Sequence, residues 1–156
     1  MSGDGTANGG DSAGIHRVRL TPASAIRMRR ASWLWQDRIP TGALTVVPGR
    51  EGIGKSLTLA WLAGQITRGV LPDHHQGAPR PVVYAASEDS WSHTIAPRLY
   101  AAGADLDMVY RVDVERNGVI GQLTLPRDCL ALASEISSLG MALLAADPQV
   151  ACGFMT

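Results

Sequence analysis

The chain has 156 residues, room for one domain around a single hydrophobic core. Apolar residues make up 46% and charged residues 18%, and no apolar run approaches the ~20 residues that cross a bilayer, so a protein without a membrane partner is expected. Acidic and basic side chains balance at a formal charge of zero, which excludes a general electrostatic attraction to nucleic acid.

Residues 1–20 are rich in Gly, Ser, Asp and Asn and lack an apolar period, so a disordered tail is expected there. The same stretch has neither the basic nor the apolar segment of a secretion signal, and a cytoplasmic location follows. In 21–30, Thr21 and Pro22 suit the cap and first position of a short basic helix. Residues 42–49, GALTVVPG, form an apolar, β-branched run bounded by glycine, the pattern of a buried strand. Leu59, Leu62, Ala63, Ile66 and Val70 then recur at helical spacing, with Gly69 and Pro72 as stop signals.

A second buried strand is predicted over 81–86, PVVYAA, followed at once by Ser87, Glu88, Asp89 and Ser90. Residues 90–103 read as helix again, with Pro97 either kinking it or beginning a new one. A third strand is predicted over 108–114; a Gly-containing loop then leads to Pro126 and a helix with Leu130, Ala133 and Ile136 among its apolar positions. The fourth strand, 141–146, ends at Asp147 and Pro148. Strands alternating with helices predict the α/β class, with a mainly parallel sheet covered on both faces.

One segment carries a recognisable chemistry. Gly49, Arg50, Glu51, Gly52, Ile53, Gly54, Lys55 and Ser56 fit G-x-x-x-x-G-K-[ST], between a predicted strand and a predicted helix. In such a loop backbone N–H groups cradle phosphates, and Gly52 and Gly54 allow a close approach that a Cβ would hinder. Lys55 would meet the β- and γ-phosphates of ATP, and the Ser56 hydroxyl would hold Mg²⁺. The basic residues are thirteen arginines and one lysine, and that lysine is Lys55. The competing reading is a chance glycine-rich turn.

Asp147 closes the apolar run 141–146 as a magnesium-holding carboxylate closes a buried strand; the alternative is an aspartate capping an ordinary strand. Glu88 follows the second strand, where the ligand face of a parallel sheet lies. A carboxylate there can deprotonate an attacking water, the catalytic role; alternatively, Glu88 and Asp89 merely start a helix.

GALTVVPGREGIGKS, VVYAASEDSW and ALLAADP, in that order, resemble the RecA-like ATPases of the RepA helicase type, bacterial and phage AAA family ATPases. The resemblance spans 21–148 and includes WLWQDRIPTG and PRLYAAGADLDMVYRV. It implies a RecA-like ATPase that acts on single-stranded DNA as a ring of identical subunits. In it Lys55 and Ser56 bind phosphate and magnesium, Asp147 supports magnesium and Glu88 activates water. Arg98 lies in the recurring P-R-L stretch, without a role beyond pairing with a carboxylate. Such relatives continue past the strand-end aspartate with a sensor strand and an arginine that acts across the subunit boundary, whereas this sequence stops nine residues after Asp147. The expectation is therefore a partial domain with an atypical tail at 149–156 and a gap in its sheet. Its hydrolysis would be impaired, or it would be a non-catalytic nucleotide-binding or subunit-association module.

The remaining features are assigned ordinary roles. His74 and His75 are adjacent with no third ligand in view, so metal binding is not expected of them. Cys129 and Cys152 match no metal spacing. Trp33, Trp35, Trp61 and Trp91 are spaced too irregularly for a base-stacking platform and are assigned to packing, although one could stack on adenine.

Overall fold

The computed structural model describes residues 19–72, 76–87, 89–116, 118–121, 123–125 and 127–146. The chain divides into two units, Met1–Arg30 and Ala31–Thr156. Of the first, 19–30 are exposed, and the helix predicted over 21–30 is reduced to one 3₁₀ turn, Ala23–Ala25, with Pro22 rather than Thr21 at its cap. A stretch this short, with no apolar face to bury, does not repay the cost of helix nucleation. The predicted tail, 1–20, falls almost wholly outside the described residues.

The second unit opens with a small antiparallel pair, β1 (Trp33–Trp35) and β2 (Ile39–Pro40). Helix α1 (Lys55–Thr67) follows; of the predicted periodic positions it buries Leu62, Ala63 and Ile66, with Leu59 half-buried, while Val70 lies past its end and is exposed and Ala60 is buried in addition. It ends in a Schellman motif: Gly69 N–H donates to Ile66 O and Val70 N–H to Gln65 O, both at 3.0 Å. Gly69 has φ +65°, and a Cβ there would lie 2.8 Å from Pro79 N, so glycine is required twice over.

β3 (Val82–Ala85) is buried along its whole length and forms the centre of a parallel sheet. It pairs on one side with β4 (Val109–Arg111) and on the other with β7 (Leu143–Ala146). Between β3 and β4 the chain makes a π-helical turn, Trp91–Ile95, and then α2 (Ala96–Ala101). Pro97 thus stands in the first turn of α2, directly after the π turn. Between β4 and β7 lie β5 (Val114–Arg116), β6 (Val119–Gly121) and α3 (Cys129–Leu139). Arg80 donates to Gly140 O and Ala142 N–H donates to Pro81 O, which fixes the start of β7 against that of β3.

Alternate residues of β3 face two cores. Val82 and Tyr84, with Ala145, pack against α1 and against Ile95 and Leu99 of the segment after β3. Ala85 packs with Leu123, Leu144 and Leu132 of α3 on the other side. The α/β class and parallel sheet are as expected. Among the described residues no helix is long and apolar enough to cross a membrane.

Three expectations need correction. Residues 42–49 are not a strand: they join no ladder, and Leu44 and Val46 are 89% and 71% exposed. β-branched composition expresses a propensity, but a strand exists only where a partner satisfies its backbone groups. The third strand stops at Arg111, and the predicted Gly-containing loop holds the β5–β6 hairpin. In α3, Leu130 and Ala133 face solvent, while Leu132, Ile136 and Leu139 form the half-buried stripe. Asp128 anchors the start of this helix: its backbone oxygen accepts from Leu132 N–H and its carboxylate accepts from Thr124 N–H at 2.8 Å.

Candidate functional site

Loop 49–56 is shaped by three glycines and one lysine. Gly52 and Gly54 have φ +80° and +93°, left-handed conformations that disfavour other residues, and a Cβ on either would meet no atom within 4 Å. At Gly49 the reverse holds, because a Cβ would overlap the Ile53 side chain that folds over it. The backbone therefore curls through 49–54 and enters α1 directly.

Gly54 is the N-cap of α1, and Lys55 is its first residue. No side chain caps this end and no acidic residue occupies the first turn. A lysine at the positive end of a helix runs against the macrodipole, and such breaches of local preference concentrate at functional positions. The Lys55 ammonium is turned back over the loop, where it donates to Gly49 O at 2.9 Å and Arg50 O at 2.8 Å. The first turn is fixed behind it by Thr58, whose N–H and hydroxyl both donate to Gly54 O, at 2.9 and 3.1 Å. Arg50, Glu51 and Ser56 are exposed on the same loop. Orphan N–H groups, a helix dipole and a held ammonium together make an anion-binding surface suited to phosphate.

Residues 16–153 match the AAA domain family, and they include the whole loop, α1 and the parallel sheet. The chain belongs to that family. No curated protein and no solved structure matches it. Membership supports a P-loop AAA-type ATPase family and suggests nucleotide binding.

The other two site residues expected of this AAA domain, Glu88 and Asp147, lie outside the described residues. What is described is the pair of strands that lead to them: β3 and β7 run parallel in a register that sets Ala85 opposite Ala146. The C-terminal ends of both strands thus reach one edge of the sheet, where parallel α/β folds bind ligands. Asp89, immediately after Glu88 in sequence, accepts from Arg98 Nη1 at 2.9 Å, so Arg98 does pair with a carboxylate. Ser90 caps the π turn, its hydroxyl accepting from His93 N–H.

Trp35 and Trp61 pack against each other at 5.2 Å, and Trp91 meets Tyr84 edge-on at 5.9 Å, consistent with the packing role assigned to them. Among the described residues no group of three or more His, Cys, Asp or Glu is arranged to hold a metal. His74, His75 and Cys152 lie outside those residues, and Cys129 is exposed. Sequence reasoning missed the cation–π contact of Arg111 with Trp91, for which no local signal exists. It also missed the β5–β6 hairpin, although the Asn117-Gly118 pair is a strong two-residue turn signal.

Proposed function

We propose that this AAA domain binds ATP with Mg²⁺ at residues 49–56 and belongs to the RecA-like ATPases of the RepA helicase kind. The observation that carries the reading is the Lys55 ammonium, held by the Gly49 and Arg50 carbonyls over a loop with left-handed turns at Gly52 and Gly54, at an uncapped helix start. On this reading the backbone N–H groups of 50–55 grip the β-phosphate, and Lys55 exchanges its carbonyl partners for phosphate oxygens. The donor chemistry suits magnesium, a hard cation that takes oxygen ligands: the exposed Ser56 hydroxyl stands next to Lys55, and Asp147 follows β7 in sequence. Bound magnesium would neutralise phosphate charge as the terminal phosphoryl group departs. Glu88 would orient and deprotonate the attacking water. The resemblance of VVYAASEDSW and ALLAADP to RepA-type helicases supports single-stranded DNA as a partner and a ring of like subunits as the assembly.

A second reading, nucleotide binding or subunit association without turnover, is favoured by residues 44–47, the segment before the loop. They stand exposed and unladdered rather than anchoring it in the sheet. Two measurements decide. Titration with a fluorescent ATP analogue should show Lys55→Ala binding about 10- to 150-fold more weakly, the worth of a charge-assisted contact. Equal affinity would overturn the assignment of the loop. A phosphate-release assay with single-stranded DNA, using Glu88→Gln as the blank, separates the two readings. Turnover above that blank supports the ATPase, and its absence supports the binding module.

A further inference from the structure

Zero net charge excludes a general pull on polyanions, but the charge is not evenly spread along the chain. Between Asp11 and Asp37 the sequence holds no acidic residue, and Arg19, Arg27, Arg29 and Arg30 fall in that interval. Residues 31–156 carry nine basic and twelve acidic side chains. The larger unit is therefore net negative, and the segment that precedes it in sequence is positive.

The structure divides the arginines in the same way. In the second unit Arg98, Arg111 and Arg127 each meet an aspartate, Arg68 and Arg80 each donate to a backbone carbonyl, and Arg38 lies 4.9 Å from the Trp35 ring centroid. In the first unit residues 19–30 are all exposed, and among the described residues none of their four guanidinium groups has an ion pair, a hydrogen bond or an aromatic face. Four unpaired positive charges within twelve residues repel one another, and an external polyanion relieves that repulsion. All four are arginine, whose planar fork takes two oxygens of one phosphate.

Two kinds of polyanion present such phosphates, a nucleic acid and an anionic bilayer. A peripheral segment that lies on a bilayer is an amphipathic helix anchored by aromatic or leucine side chains. Residues 19–30 contain no aromatic residue, and their one regular turn is the 3₁₀ turn Ala23–Ala25, after which Ile26 is extended at φ −91°, ψ 119°. A segment without an α-helix lays down no apolar stripe on a membrane, whereas it can follow the course of a phosphodiester chain. We propose that residues 19–30 form a nucleic-acid-binding arm in which Arg19, Arg27, Arg29 and Arg30 contact the phosphodiester backbone. Leu20, Ile26 and Met28, exposed between them, pack on base faces where a single strand leaves these open. The contacts need neither a nucleotide nor the loop at 49–56, and so stand apart from the ATPase reading.

The test titrates the full chain with a labelled single-stranded oligothymidine and with a labelled DNA duplex, from 50 to 200 mM salt. Beside wild type stand a variant carrying Arg19→Gln, Arg27→Gln, Arg29→Gln and Arg30→Gln, and a second with lysine at the same four positions. Four phosphate contacts to a single strand contribute about −2.8 to the slope of log affinity on log salt, roughly a 50-fold loss across that range. The glutamine variant should lose this part of the slope and bind more than about 10-fold more weakly at 50 mM salt. The lysine variant keeps the charge and should keep most of the slope. Weakening of one probe alone identifies that form of DNA as the ligand, and weakening of both identifies the backbone common to them. The proposal is overturned if wild type binds neither probe at 50 mM salt, or if the glutamine variant, folded as judged by circular dichroism, keeps wild-type affinity and slope for both. Should that variant fail to fold, an unchanged slope in the double variant Arg29→Gln, Arg30→Gln overturns it. Sedimentation with vesicles of phosphatidylserine and phosphatidylcholine is the other arm: binding to vesicles that the glutamine changes abolish, with oligonucleotide binding untouched, assigns the segment to a membrane and also overturns the proposal. The glutamine variant should bind the fluorescent ATP analogue like wild type, and Lys55→Ala reads the loop alone, so either reading can fail without the other.

Discussion

Gly64 sits in the middle of α1, where helix propensity alone says that alanine should be better. Replacing a mid-helix glycine gains about 0.8–1.0 kcal/mol in an exposed helix. Here the new Cβ would stand 2.6 Å from Ala102 O and 3.3 Å from Ala102 C, with Ala104 N at 3.4 Å. The obstacle is backbone, and that backbone is tied down: Ala102 N–H donates to Arg98 O and Ala104 N–H to Leu99 O, at 2.9 and 3.0 Å. It cannot rotate aside as a side-chain end would. Overpacking costs ~1–3 kcal/mol, and a rigid obstacle puts this case in the upper half of that range. Gly64→Ala should therefore lose about 1–2 kcal/mol net, which lowers the urea midpoint by roughly 0.5–1 M for a domain of this size. The loss should extend to function, because α1 carries Lys55 in its first turn and its seat on α2 sets where that turn lies. Urea unfolding followed by circular dichroism measures it. A variant as stable as wild type, or more so, would refute the close approach of α1 to the end of α2.

Two further substitutions test the cores that hold the sheet. Leu99 is 1% exposed in the cluster with α1 and β3, and Leu99→Ala should cost about 2–5 kcal/mol in a thermal or urea melt, whereas Leu99→Met should cost under about 1.5. Asp128→Ala leaves Thr124 N–H without its carboxylate acceptor and should cost about 1–3 kcal/mol, with Asp128→Asn recovering part of it; equal melts for all three proteins would remove that bond from the account.

What could be read from the sequence divides along a physical line. Helix α1 and the loop between 49 and 56 depend on contacts close in sequence and were legible, down to the stop signal Gly69, while β3, whose partners lie far along the chain, was legible because it is an apolar run buried on both faces. The loop was the most legible because its conformational demand is local: Gly52 and Gly54 hold φ angles that few other residues would accept. Readings that depended on distant partners fared worse. Residues 42–49 have the composition of a strand but join no ladder, whereas the stripe of α3, Leu132, Ile136 and Leu139, does follow the helical period and was missed by starting the count at Leu130.

The same line separates the cations of the chain. Arg98 and Arg111 each meet a carboxylate, Asp89 and Asp113, and which partner each finds is settled by the fold. The ammonium of Lys55 is held by carbonyl dipoles of its own loop, so a full positive charge remains for an anion, and that arrangement is local enough to be read from residues 49–56.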